Sequence, residues 1–178
     1  DIDDVMDQAE KDLLNVTRTR RAAEFRVANE VVSSVLENIQ TMSQTHTNIT
    51  GTPTGFRRMD SLTNGFQNGD LIILAARPSV GKTAFACNVA LNAAQISKKA
   101  VAMFSLEMPA EHLITRMLSA KSRLTGSALR TGQIRNNNEW NALNEAAADL
   151  KETKIYIDDS ATIRVSEIFS KCRKLQTE

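Results

Sequence analysis

The stretch Leu71–Gln95, LIILAARPSVGKTAFACNVALNAAQ, leaves a chain like this few folds to choose from. Its apolar opening, Leu71-Ile72-Ile73-Leu74-Ala75, has the length and bounding residues of a buried parallel strand. Ala76-Arg77-Pro78-Ser79-Val80-Gly81-Lys82-Thr83 comes next and fits the spacing G-x-x-x-x-G-K-[ST], with Ala76 in place of the first glycine. Ala84, Phe85, Val89, Ala90 and Ala93 then continue as an alanine-rich helix with no breaker. Strand, tight loop and helix in that order is the setting in which this spacing holds phosphate. A chance Gly-Lys-Thr at an ordinary strand–helix turn is the plain alternative.

The chemistry needs these residue types in this order. Successive amides of Ser79 to Thr83 can point into one concavity, where the following helix adds its positive end. Gly81 lets the backbone approach phosphate oxygens with no side chain in the way. Lys82 has the reach for β- and γ-phosphates, and the Thr83 hydroxyl is placed to ligate Mg²⁺. Arg77, Pro78, Ser79, Val80, Gly81, Lys82, Thr83 and Ala84 are therefore the candidate nucleotide-binding residues, with Thr83 the candidate metal ligand.

Bulk properties bound the rest. A length of 178 residues is enough for one domain, burying roughly 70% of its unfolded surface. A formal charge of +1 points by itself to neither nucleic acid nor a membrane surface. No run of about 18 apolar residues exists, and the acidic start Asp1-Ile2-Asp3-Asp4 is not a signal peptide. Cys87 and Cys172 lack metal-ligand spacing and read as reduced thiols of a cytosolic protein.

The first fifty residues have another character. Ile2, Val5, Met6, Ala9 and Leu13 recur at helical spacing behind a cluster of aspartates, and Arg18, Arg20, Arg21 and Arg26 form a basic patch. A second helical face runs through Phe25, Ala28, Val32, Val35, Leu36 and Ile39, and the polar stretch Thr41 to Pro53 reads as a linker. Two helices packed on their own domain is one reading. A connector whose apolar face docks on a neighbouring subunit is the other.

Beyond the linker, Phe56, Met59 and Leu62 fit one face of a short helix that Asn64-Gly65 can end. The run TGFRRMDSLTNGFQNGDLIILAARPSVGKTAF resembles the start of the ATPase domain of the hexameric DnaB-type replicative helicases of bacteria and phages. FSLEM, LRTG and IYIDD follow in that family's order. The resemblance covers about residues 51–175 and, more loosely, the preceding helices as the family's inter-domain linker.

The resemblance implies an α/β, RecA-like P-loop fold: a mostly parallel sheet flanked by helices and preceded by a helical linker. Residues 1–50 would be the linker and subunit-docking segment, and residues 51–178 the N-terminal part of the ATPase domain. It also implies ATP and Mg²⁺ as cofactors and a homohexamer assembled through residues 1–45. The ring would translocate 5′→3′ on single-stranded or forked DNA, with primase and a helicase loader as partners and no membrane association. The setting would be the bacterial cytoplasm, at the nucleoid or in a phage-infected cell. Other RecA-like ATPases, such as a recombinase or a circadian-type ring protein, and a non-catalytic assembly module remain alternatives.

Ala100-Val101-Ala102-Met103-Phe104-Ser105 reads as a second buried strand, parallel to the first by right-handed crossover. Glu107 lies just past its carboxyl end, where ligands of open parallel sheets sit. A carboxylate there can orient the water that attacks the γ-phosphate, or be no more than polarity at a helix start. The resemblance assigns it the first role, making Glu107 and Lys82 the candidate catalytic residues.

From Pro109 a helix presents Leu113, Ile114, Met117 and Leu118 on one face, with His112 read as exposed and Arg116, Lys121 and Arg123 as solvated charges or, alternatively, a subunit contact. A later helix carries Trp140, Leu143, Ala146, Ala147 and Leu150, with Trp140 read as a packing anchor rather than a base-stacking platform. Ile155-Tyr156-Ile157-Asp158-Asp159 is a strand whose aspartates imitate the metal carboxylate of a Walker B strand; in the resembled family that strand comes one helix later, so Asp158 and Asp159 read as strand-end or helix-capping residues, with a metal role as the alternative. On that basis the sheet is expected to be truncated, with the Walker B aspartate, DNA loops and arginine finger outside these residues. Alone, such a polypeptide is expected to be poorly stable.

Overall fold

The computed structural model describes residue 5, residues 27–45 and residues 49–177. The first expected helix and its arginine patch lie outside the described residues, apart from Val5. Two compact units emerge. The one containing the loop motif spans Asn48–Ile163. The helices Ala28–Thr45 (α1) and Val165–Thr177 (α7) belong to the other. On α1, Val32, Val35, Leu36 and Ile39 stand exposed. On α7, the Arg173 guanidinium lies 5.8 Å from the centre of the Phe169 ring.

In the larger unit the core follows helical spacing. Helix α3 (Lys82–Ser97) buries Cys87, Ala90, Leu91, Ala93 and Ala94, one stripe of a 3.6-residue period. Helix α4 (Ala110–Ser122) buries Leu113 and Met117, one turn apart. These side chains pack over strands β1 (Val101–Phe104) and β2 (Ile155–Asp158) through Val101, Met103, Ile155 and Ile157. The two strands are parallel and in register, Val101 opposite Ile155 and Phe104 opposite Asp158. Alternation puts Ala102 and Tyr156 on the other face, and both are exposed.

Past the short helix α5 (Gly126–Thr131), helix α6 (Asn137–Lys151) closes the cluster with buried Ala146 and half-buried Leu150. Its start is sealed twice: the Asn136 side chain accepts the Glu139 amide, and the Glu139 carboxylate accepts the Arg135 amide. Trp140, expected as a packing anchor, is instead 49% exposed. At 3.6 residues per turn it stands about 120° around α6 from Ala146, off the stripe that Ala146 and Leu150 turn inward.

The lead-in segment is held by a buried carboxylate. Asp60, on helix α2 (Arg57–Thr63), accepts the Thr54 amide at 2.8 Å, the Thr54 hydroxyl at 2.7 Å and the Gly55 amide at 3.1 Å. Asp60 is 4% exposed, while Leu62, expected on the inward face, is 79% exposed. The inward face of α2 is therefore set by Asp60, whose charge finds three donors, and not by apolar spacing. Asn92 of α3 donates to the Thr54 carbonyl at 2.9 Å, and the Phe56 and Phe85 rings stack at 4.9 Å. Gly55, at φ 81°, lies so close to Asn92 that a Cβ would meet its amide nitrogen at 2.2 Å. The segment before the loop is thus fastened to the helix after it.

One expectation about the sheet is corrected. Leu71–Ala75 joins no ladder, and β1 takes β2, not this run, as its parallel neighbour. Leu71 and Ile73 are 87% and 83% exposed. An apolar run becomes a buried strand only when another strand lies alongside to satisfy its amides and carbonyls. Among the described residues, none does. No helix among them is long and apolar enough to cross a membrane.

Candidate functional site

The loop at Ala76–Thr83 is shaped by two residues in the left-handed region. Ser79 has φ 64° and Gly81 has φ 102°. At Gly81 the conformation, not crowding, calls for glycine, because an added Cβ would meet nothing within 4 Å. The first turn of α3 closes with the Phe85 amide on the Gly81 carbonyl at 2.9 Å. The amides of Lys82, Thr83 and Ala84 precede that bond and have no carbonyl one turn back. No side chain caps this helix start. A cluster of amides at the positive end of a 16-residue helix is what an anion needs.

Those residues border a cleft of about 680 Å³. Its walls are Ala76, Arg77, Pro78, Ser79, Gly81, Lys82, Thr83 and Ala84 on one side, with Glu107, Met108 and Arg116 completing it. Lys82 is exposed to the cleft and Thr83 is half-buried at its edge. Of the candidates, only Val80 does not line it; its side chain is 70% exposed. The structure therefore brings Lys82, Thr83 and Glu107 to one cavity, although their sequence separation spans a helix and a strand.

Glu107 rides on the turn that leaves β1. The Ser105 amide extends the ladder by donating to the Asp158 carbonyl at 2.8 Å. The Ser105 hydroxyl donates to the Met108 carbonyl at 2.7 Å and accepts the Met108 amide at 3.2 Å. Glu107 lies inside that small cycle.

Arg116 is the site residue that sequence reasoning misses, since its position reads as a solvated charge. It is one residue before buried Met117 on α4, and so borders the covered stripe at the end of the sheet where the cleft opens. Nearby, burial pushes the Cys87 thiol up from its ordinary value, and the positive charge of Arg116 partly offsets this.

Asp158 and Asp159 do not line the cleft. Asp158 accepts the Ser160 amide at 3.0 Å, and Asp159 accepts the Ala110 amide at 2.9 Å. Among the described residues, no three His, Cys, Asp or Glu side chains converge as a metal cluster.

Comparison with known proteins bears on this arrangement. The model of the DnaB-like helicase C terminal domain matches residues 51–178. The replicative DNA helicase DnaC of Bacillus subtilis (strain 168) is 44% identical over 178 residues, which are 100% of this chain and 39% of that protein. Among solved structures, an ATPase domain is similar with a TM-score of 0.78 at 30% identity, over 86% of this chain and 53% of that one. A DnaB-like replicative helicase, described with its interactions with primase, gives a TM-score of 0.72 at 30% identity, over 86% of this chain and 36% of that one. The fold is accordingly that of the RecA-like ATPase domains, and the chain spans well under half the length of the curated relatives it matches. This chain belongs to the DnaB-like helicase C-terminal domain family.

Proposed function

We propose that this chain is the nucleotide-binding part of an ATP-dependent replicative DNA helicase. One observation carries the reading: Ser79, Gly81, Lys82, Thr83 and Glu107 line a single cleft of about 680 Å³, a size within the usual range for small-ligand sites. In this reading the loop amides and Lys82 hold the triphosphate. Lys82 stabilises charge on the departing γ-phosphoryl group, and Arg116 adds positive charge to the opposite wall.

Glu107 orients and polarises the attacking water from the end of β1. Mg²⁺ fits the donor set, since this ion takes one or two protein oxygens together with phosphate oxygens and waters. The Thr83 hydroxyl would hold it, and the ion would neutralise charge between the β- and γ-phosphates.

In the intact protein, residues 1–50 would serve as the linker whose helices dock on the next subunit of a hexamer, and residues 51–178 would begin the ATPase domain. Hydrolysis at subunit boundaries would drive 5′→3′ movement on single-stranded DNA and part the duplex. Primase is the partner suggested by the solved relative, a loader is a further one, and the cytoplasm is the setting.

Two substitutions in the intact protein test the assignment. Lys82→Ala abolishes hydrolysis, and Glu107→Gln binds ATP normally but does not turn it over. Undiminished turnover in Lys82→Ala would refute the first role, and loss of ATP binding in Glu107→Gln would make that residue a structural acid.

A further inference from the structure

The end of β2 bears two adjacent aspartates, and neither borders the cleft. Both nonetheless reach the segment that carries Glu107. At the near end of that segment, the Ser105 amide donates to the Asp158 carbonyl at 2.8 Å. At the far end, the Ala110 amide donates to the Asp159 carboxylate at 2.9 Å. The stretch Ser105–Ala110 is therefore fixed at both ends to neighbouring residues, the last of β2 and the one that follows it. Between those anchors the Ser105 hydroxyl closes its cycle with Met108.

Chemistry explains why an aspartate stands there. Ala110 is the first residue of α4, so its amide is one of the donors that a helix start leaves without a partner. Pro109 precedes it and makes no side-chain capping bond. Asp159 supplies the missing acceptor from another part of the chain, and its negative charge suits the positive end of the 13-residue helix. The same bond decides where α4 begins relative to β1, and with it where the turn between them holds its glutamate.

We propose that Asp159 is a positioning residue for hydrolysis: it fixes the start of α4 on the end of β2, and so holds Glu107 at the mouth of the nucleotide cleft. The inference rests on the reading of Glu107 as the residue that orients water. A displacement of about 1 Å is enough to cost up to a hundredfold in rate. Nucleotide affinity is set across the cleft by the loop amides and Lys82, and is left alone.

The test measures steady-state ATP hydrolysis, binding of a fluorescent ATP analogue and Mg²⁺ dependence in the intact protein. Asp159→Ala lowers kcat by about tenfold, with KM and analogue affinity changed less than about twofold. Asp159→Asn restores most of kcat, because a carboxamide oxygen caps a helix nearly as well as a carboxylate. Ser105→Ala, which opens the cycle from the other side, gives the same loss confined to kcat and carries the test if Asp159→Ala fails to assemble.

Unchanged kcat in Asp159→Ala, or in Ser105→Ala, overturns the proposal. So does an Asp159→Asn variant as inactive as the alanine one with a raised Mg²⁺ requirement, which would make Asp159 a metal ligand. Glu107→Gln is run alongside. If it is inactive while Asp159→Ala is normal, only the positioning role falls; if it turns over normally, the reading of Glu107 falls and takes the positioning role with it.

Discussion

Replacing Asp60 by alanine removes the acceptor of three hydrogen bonds at once. Two of the donors belong to Thr54, which is fully buried, so water cannot take over from the carboxylate. A buried donor left unsatisfied costs about 1–3 kcal/mol. With two such donors, and the Gly55 amide partly open to solvent, Asp60→Ala destabilises by about 3–5 kcal/mol, near the upper end for single substitutions. Asp60→Asn keeps an acceptor for Thr54 but loses the charge, at a cost of about 1–2 kcal/mol.

Acidity separates charge from shape. Burial alone would raise the pKa of Asp60, but the bonds from the Thr54 hydroxyl, the Thr54 amide and the Gly55 amide outweigh it and hold the carboxyl below its ordinary value. A depressed folded pKa contributes stability that is fully present above the unfolded value of about 3.9. That contribution is lost as pH falls through the folded value. Urea titration should therefore show the widest gap between wild type and Asp60→Asn near neutrality, closing as pH drops below about 4. A gap that stays constant across this range, or an Asp60→Ala variant within about 0.5 kcal/mol of wild type, would refute the account.

Gly81→Ala forces a side chain into φ 102° without meeting any neighbour, so its cost of about 1–2 kcal/mol is conformational and should appear as roughly tenfold weaker binding of an ATP analogue. Unchanged affinity would show that the loop takes another shape when filled. Leu113→Ala empties a position that is 2% exposed at the centre of the core, and should cost about 2–5 kcal/mol in chemical denaturation. Cys172, half-buried on α7, should react with a thiol reagent well before Cys87, which is 1% exposed and has a raised pKa. Equal rates in the native protein would contradict the burial of α3.

How much can be read in advance depends on whether the deciding contacts are local. Helices α4 and α6 follow from apolar spacing that each carries in its own sequence, and α3 from an alanine-rich run with no breaker. The strand at Ile155–Asp158 is plain for the same reason. Lys82, Thr83 and Glu107 are legible because a short spacing and a strand end are one-dimensional features of a three-dimensional cleft.

Leu71–Ala75 has every attribute of a strand except a neighbour, and no window of residues contains that information. Asp60 is invisible for the opposite reason. Its burial depends on donors five and six residues earlier, which the periodicity of Phe56, Met59 and Leu62 overshadows. A Thr-Gly pair followed by an aspartate in the first turn of a short helix is the available signal. Arg116 needs the crossover itself, since only the packing of α4 against the sheet carries it to the cleft.

The bare face of the two-stranded sheet has a practical consequence. Tyr156 stands on it, 41% exposed, and Trp140 is 49% exposed on α6; the chain has one residue of each type. Both intrinsic fluorophores thus look outward, so their emission would follow whatever comes to cover those surfaces. The interior around Leu113 and Met117 could loosen with scarcely any spectral change, making fluorescence here a gauge of encounters at the surface rather than of melting within.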